Sequence, residues 1–257
     1  MFDLPKLVNY LFLTSVFLLS SCSTETEDSK KNSNNSNYSQ ENNLTETNND
    51  KSNNSNSNKF NYSLLQKKVI YGNAKLSEVK QALTDTDVGS LTNTIHGLYS
   101  MRWHRGVYNL LDELWTGNKE KNPDFSWDLL EKAPVKIALA STINRIKIIN
   151  TDEQLKYIRS HKNDEHEFHR AQVVVALGMN GKPDDIEYIK SMAMAENHYV
   201  AQSAISGLAL MGGEQAKYAL GEIWKEFQGT PRGDLAEKVI LKAYNVVPNL
   251  ISKDSDQ

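Results

Sequence analysis

The sequence predicts an all-α protein, a short right-handed α-solenoid of stacked helix pairs preceded by a disordered tether. Three observations predict it. IEYIKS (186–191) echoes LKYIRS (155–160) at a spacing of 31 residues. Sliding the chain by that spacing aligns whole apolar columns rather than one hexamer. No alternating apolar and polar run supports a sheet.

The columns fix the units. Ile143, Val174 and Ile205 align, as do Ile146, Leu177 and Leu208. Ile158, Ile189 and Leu220 form a third column, and Ile137, Phe168 and Tyr199 a fourth. Turn residues Asn150, Gly181 and Gly212 keep the register. Within each unit the first apolar positions lie one helical turn apart. A turn follows, then a second amphipathic stretch: TDEQLKYIRSH, KPDDIEYIKSMA or EQAKYALGEIW. Thr151 and Pro183, with acidic residues behind them, are expected helix starts. A helix pair cannot bury its apolar face alone, so the pairs stack into one core.

Ahead of these units, LSEVKQAL (76–83) reads as one helix. A degenerate unit fits at an offset of 48: Leu91, Ile95, Leu98 and Leu110 map on Leu139, Ile143, Ile146 and Ile158. The extra residues, TGNKEKNPDFSWDLLEK, form an insertion. Asn122 and Pro123 predict a loop there, and SWDLLEK a short helix with Trp127 packed inward. DLAEKVILKAYNVV is expected to cap the stack, giving four to five helix pairs over 60–247, followed by a polar tail at 248–257. In IEYIKS, Tyr188 and Ile189 are expected to face the core and Lys190 to face out.

AQSAISGLALMGG (201–213) and RAQVVVALGMNGKPDDIEYI (170–189) resemble HEAT repeats, and more narrowly the short HEAT-like repeats also found in phycobilin lyases. The resemblance covers roughly 134–227. It implies a fold and not a task, because such repeats serve many.

The first 22 residues read MFDLPKLVNYLFLTSVFLLSSC. Lys6 precedes a mostly apolar run at 7–19, and small residues follow, which is the order of an export signal. The run is too short to span a bilayer, which needs about 20 residues. Cys22 is the chain's only cysteine. An ordinary signal peptide with a free thiol is one reading. The other is that Leu19, Ser20, Ser21 and Cys22 resemble the bacterial lipobox. That resemblance implies a signal peptide at 1–21, cleavage before Cys22, and acyl chains (diacylglycerol, palmitate) that anchor the protein in the cell envelope. More than one chain makes such anchoring stable. Ser23, where an Asp would imply inner-membrane retention, implies the outer membrane, facing the periplasm. Residues 22–59 then form the tether. Of the 37 residues in 23–59, 20 are Asn or Ser, too few apolar groups to offset ordering entropy. As a polar coil they span on the order of 30–40 Å.

Net charge is −3, so no basic excess argues for nucleic acid. No cofactor motif is present: GMNGKPD is too short for a phosphate loop and follows a helix. Trp115, Trp127 and Trp224 lie on apolar stripes and are expected in the core. His166 and His169, three apart beside Glu167, could hold a metal if another helix added ligands. His166-Glu167 also resembles the His-Glu pairs of deoxyhypusine hydroxylase, although no matching pairs stand 31 residues before or after it. The alternative is a charged, solvated turn. Arg102, Trp103, His104 and Arg105 could stack on and neutralise an anionic ligand. More often such a cluster caps a helix end around one buried tryptophan, here Trp103.

The function expected from this is an interaction or scaffolding module for a protein partner, and not an enzyme. Its candidate surface is Lys156, Arg159, Glu187, Lys190, Lys217 and Glu222 on the second helices. The alternative is a HEAT-like enzyme, a metal-dependent oxygenase or a lyase-like binder of a prosthetic group.

Overall fold

The computed structural model describes residues 62–146, 151–180 and 182–251. The signal, Cys22, the tether, the turn positions Asn150 and Gly181 and most of the tail lie outside the described residues. Among the described residues there are twelve α-helices, three short 3-10 turns and no strand. They pack as a solenoid-like stack of helix pairs, the all-α class the columns predict.

The described residues begin with α1 (Tyr62–Ile70), which the repeat pattern does not reveal. It buries Leu65 and Val69, one helical turn apart, against α3. Next come α2 (Leu76–Ala82) and α3 (Val88–Gly97). The Asp87 carboxylate caps α3 by accepting from the Ser90 N–H at 2.6 Å. A 3-10 turn (Leu98–Met101) leads to α4 (Arg105–Trp115), whose Val107, Leu110, Leu111 and Leu114 form one buried stripe.

The insertion carries α5 (Trp127–Leu130) and is more firmly held than a loop. Asn122, in the expected loop, is buried. Its side chain accepts from Lys80 Nζ at 3.1 Å and donates to Glu113 at 2.9 Å. Its backbone carbonyl accepts from the Trp127 indole N–H at 2.8 Å. The insertion is thereby tied to α2 and α4, and Phe125 and Trp127 are buried beneath it.

The regular units follow: α6 (Ala133–Ile146) with α7 (Asp152–Ser160), α8 (Glu167–Asn180) with α9 (Ile186–Ala195), and α10 (His198–Met211) with α11 (Gly213–Glu226). Pro183 opens a 3-10 turn (Pro183–Asp185), and α9 proper starts at Ile186. Gly212 and Gly213 both have positive φ, 69° and 79°. That conformation lets α10 turn into α11 without a linker. The final α12 (Pro231–Tyr244) starts at a Thr230 cap and a proline in its first turn, and ends at left-handed Asn245.

First helices stack in a row, α3–α6–α8–α10–α12. Those in the middle are buried almost all round, with every residue from Ala171 through Gly178 covered in α8. Second helices bury a single stripe, as with Ala216, Ala219, Leu220 and Ile223 in α11. Ile158, Ile189 and Leu220, the column under the opening hexamers, are fully buried. Each such side chain contributes about 1.5–3 kcal/mol by leaving water. The most extensive helix contact joins α8 to α10. A Cβ on Gly178 would stand 2.2 Å from the Gly207 carbonyl oxygen, and one on Gly207 2.6 Å from that of Val174. Backbone meets backbone there, and only glycine permits the approach.

Candidate functional site

The second helices bring three of the six predicted surface residues, Arg159, Lys190 and Glu222, into contacts between units. Arg159 donates to both oxygens of Asp185, with Nη2 at 2.8 Å. Lys162 adds a third donor at 2.8 Å. Burial disfavours the Asp185 anion, but the hydrogen bonds and charges of these two cations outweigh it and hold the carboxyl below its ordinary range. Lys162 also sits over the Tyr188 ring, and the Tyr188 hydroxyl donates to the Lys162 carbonyl at 2.7 Å. Tyr188 is thus half-buried, a bridge to the preceding unit as well as a core neighbour.

Lys190 occupies the same repeat position as Arg159 and likewise reaches forward. It pairs with Glu222 of the next unit at 3.0 Å and with Glu187 at 2.8 Å. Its side chain is only 20% exposed, so it does not face out as the sequence suggested. Lys217 pairs with Glu214 and lies over Tyr218. Lys156 and Glu187 are the exposed members of the set. Residue type and spacing along the chain predict the sign and helix face of all six residues. They do not show that Arg159, Lys190 and Glu222 join units.

Further clamps were missed. Arg170 donates to both oxygens of Glu196, at 2.9 and 3.1 Å. Arg232 donates to the Met194 and Glu196 carbonyls at 2.7 and 2.8 Å. A signal was present: the pairs Arg159–Asp185 and Arg170–Glu196 share one sequence separation of 26 residues.

The histidine cluster forms the entrance to α8. Asp164 accepts from the His166 backbone N–H at 2.9 Å. His169 Nδ1 approaches Asp164 Oδ2 to 3.0 Å, close but not aligned as a hydrogen bond. The His166 and His169 rings meet edge-on at 5.1 Å. Glu167 instead accepts from Asn197, whose own side chain caps α10 through the Val200 N–H. Among the described residues no three His, Cys, Asp or Glu side chains gather as a metal would require.

The turn at Arg102, Trp103, His104 and Arg105 departs from the capping expectation in one respect. His104 does cap α4, its Nδ1 accepting from the Gly106 N–H at 3.2 Å. Trp103, however, is 81% exposed. Arg102 lies over both the Tyr99 ring, at 4.6 Å, and the Trp103 ring, at 4.9 Å. Arg145, from the end of α6, lies 3.7 Å over Tyr99. The result is a file of stacked groups, Arg145–Tyr99–Arg102–Trp103, running from the interior to the surface. Burial lowers Arg145 to about 10, Tyr99 opposes the shift and the Arg102 charge adds to it. The Arg145 guanidinium stays cationic at neutral pH.

No family model matches the chain, and no curated protein or solved structure matches it.

Proposed function

We propose that the protein is a bacterial envelope lipoprotein, anchored through Cys22 in the outer membrane and facing the periplasm, whose HEAT-like stack binds a protein partner. The observation that supports this reading is the row of helix pairs with a second-helix layer outside it. Such a layer offers an extended surface rather than a pocket. The ion pairs fix its shape, while Lys156 and Glu187 remain exposed on it for recognition.

Two measurements test this on the full chain in its host envelope. An azido-palmitate analogue labels the wild type and not Cys22→Ala; equal labelling of both overturns the anchor. A photo-crosslinking residue at Lys156 or Glu187 yields one discrete adduct, absent when the residue is placed at Lys119 on the insertion. No discrete adduct, or stoichiometric iron, zinc or manganese in the purified protein, overturns the interaction reading.

A further inference from the structure

The stacked file ends on an exposed tryptophan, and a second turn stands beside it. A Cβ on Gly72 would lie 2.9 Å from the Ser100 carbonyl oxygen, so the turn after α1 abuts the 3-10 turn before Trp103. A Cβ on Gly106 would lie 2.6 Å from Leu76, so the start of α4 lies over the start of α2. Adjacent turns therefore carry the two most exposed aromatic residues of the described core, Tyr71 at 67% and Trp103 at 81%.

The charge around them has one sign. Residues 62–77 contain Lys67, Lys68 and Lys75 and no acid, and residues 88–111 contain Arg102 and Arg105 and no acid. Of the three acids between the two stretches, Glu78 is paired with Lys68 at 2.7 Å. Asp85, which is buried, and Asp87, which caps α3, lie before the start of α3, at the opposite end of that helix from the turn that carries Trp103. In a chain of net charge −3, this is a local cationic surface rather than a consequence of composition. Amphipathic aromatics next to Lys and Arg suit a membrane interface, where the ring enters the headgroup layer and the cations meet lipid phosphates. The Arg102 stack holds Trp103 in place in advance, which lowers the entropy lost on docking.

We propose that these paired turns, 71–75 and 102–105, dock the domain on an anionic phospholipid surface, with Trp103 entering the headgroup layer. The docking does not require the Cys22 anchor, although a tether to the same bilayer would raise the local concentration of the patch.

The test uses full-length protein on vesicles of phosphatidylcholine alone or of equal parts phosphatidylcholine and phosphatidylglycerol, each with brominated acyl chains. The other three tryptophans pack into or against the core, so bromine quenching reports on Trp103. On anionic vesicles, Trp103→Phe is expected to remove roughly half or more of the wild-type quenching, since this ring alone reaches interfacial depth. Arg102→Ala with Arg105→Ala, or high salt, is expected to bring the wild-type signal down to that on phosphatidylcholine. Circular dichroism of each variant checks that the fold is intact. Equal quenching of wild type and Trp103→Phe overturns the proposal. So does an equal difference on both vesicle types, or a Trp103 still open to aqueous iodide, which would leave the patch for a protein. Failure of Cys22 labelling with the Trp103 difference intact would break only the anchor.

Discussion

Residues 62–146 and 151–251 bury matching apolar columns but join their helices by different chemistry. In the second region the first helices touch backbone to backbone at Gly178 and Gly207. Its second helices are linked by Arg159 and Lys162 on Asp185 and by Lys190 on Glu222. In the first region, α3 meets α6 through a buried hydroxyl, Thr142 Oγ1 donating to the Ile95 carbonyl at 3.2 Å. The Arg145–Tyr99 stack and the insertion, held by Asn122, complete that joint. The difference teaches that the stack constrains what each helix buries and leaves free how neighbours are fastened. The regular half fastens its units with Arg159, Lys162, Arg170 and Lys190. The irregular half leaves Arg102, Arg105 and Trp103 at its surface.

The largest break in this comparison is expected at the glycine contact. Gly178→Val forces α8 away from α10 and should cost about 3 kcal/mol or more, at the top of the range for overpacking. Gly97→Ala, whose Cβ would meet Val69 Cγ1 at 3.0 Å, should cost clearly less. Denaturant unfolding of both variants checks the order; equal losses would mean that the two joints are equally tight.

Next is the buried carboxylate. Asp185 is only 1% exposed, while its two cations are 37% and 25% exposed. Removing both, with Arg159→Ala and Lys162→Ala, strands the charge but also lets water in. The expected loss is therefore about 2–3 kcal/mol, below the usual cost of an orphaned buried charge. Asp185→Asn should cost less, and thermal unfolding orders the three proteins.

Mild acid should separate the halves. His96, in α3, is lowered to about 3 by burial and, secondarily, by the Arg145 charge. Its unfolded form takes up a proton near 6.5, so the stability held by the neutral ring is complete above that pH. It declines by up to about 1.4 kcal/mol per pH unit below 6.5 and levels off near 3. The Asp185 clamp also weakens as pH falls, but in a lower window. It is intact above the unfolded carboxylate value near 3.8 and lost only as pH falls through its lowered folded value. Hydrogen exchange at pH 5 should therefore quicken first in 88–97 and not in 155–193. His96→Leu should flatten that response.

The smallest effect is expected at Lys190. Its partners Glu222 and Glu187 are 41% and 80% exposed, and Lys190→Ala should cost under about 1 kcal/mol. A cost as large as that at Asp185 would show that this clamp is no surface pair.

Much of the fold was legible because burial leaves a periodic mark. Ile158, Ile189 and Leu220 repeat in sequence because each faces the same kind of neighbour. Helix α1 was not legible, since nine residues with two core side chains make no period. The candidate surface was legible in composition only. Lys190 and Arg159 read as outward charges because a sequence gives sign and face but not the partner one unit away. Trp103 read as a ring that could be buried, because tryptophan is apolar wherever it stands. It stands in the turn between the 3-10 turn and α4, 81% exposed and stacked with Arg102.

By itself, the sequence determined the all-helical class, the unit length and the buried columns, since these depend on spacing along one chain. The tertiary structure decided which charges became clamps, which glycines bring backbones together and which turns share one cationic surface. Those contacts join residues some 23 to 47 positions apart, and no local pattern encodes the distance between them.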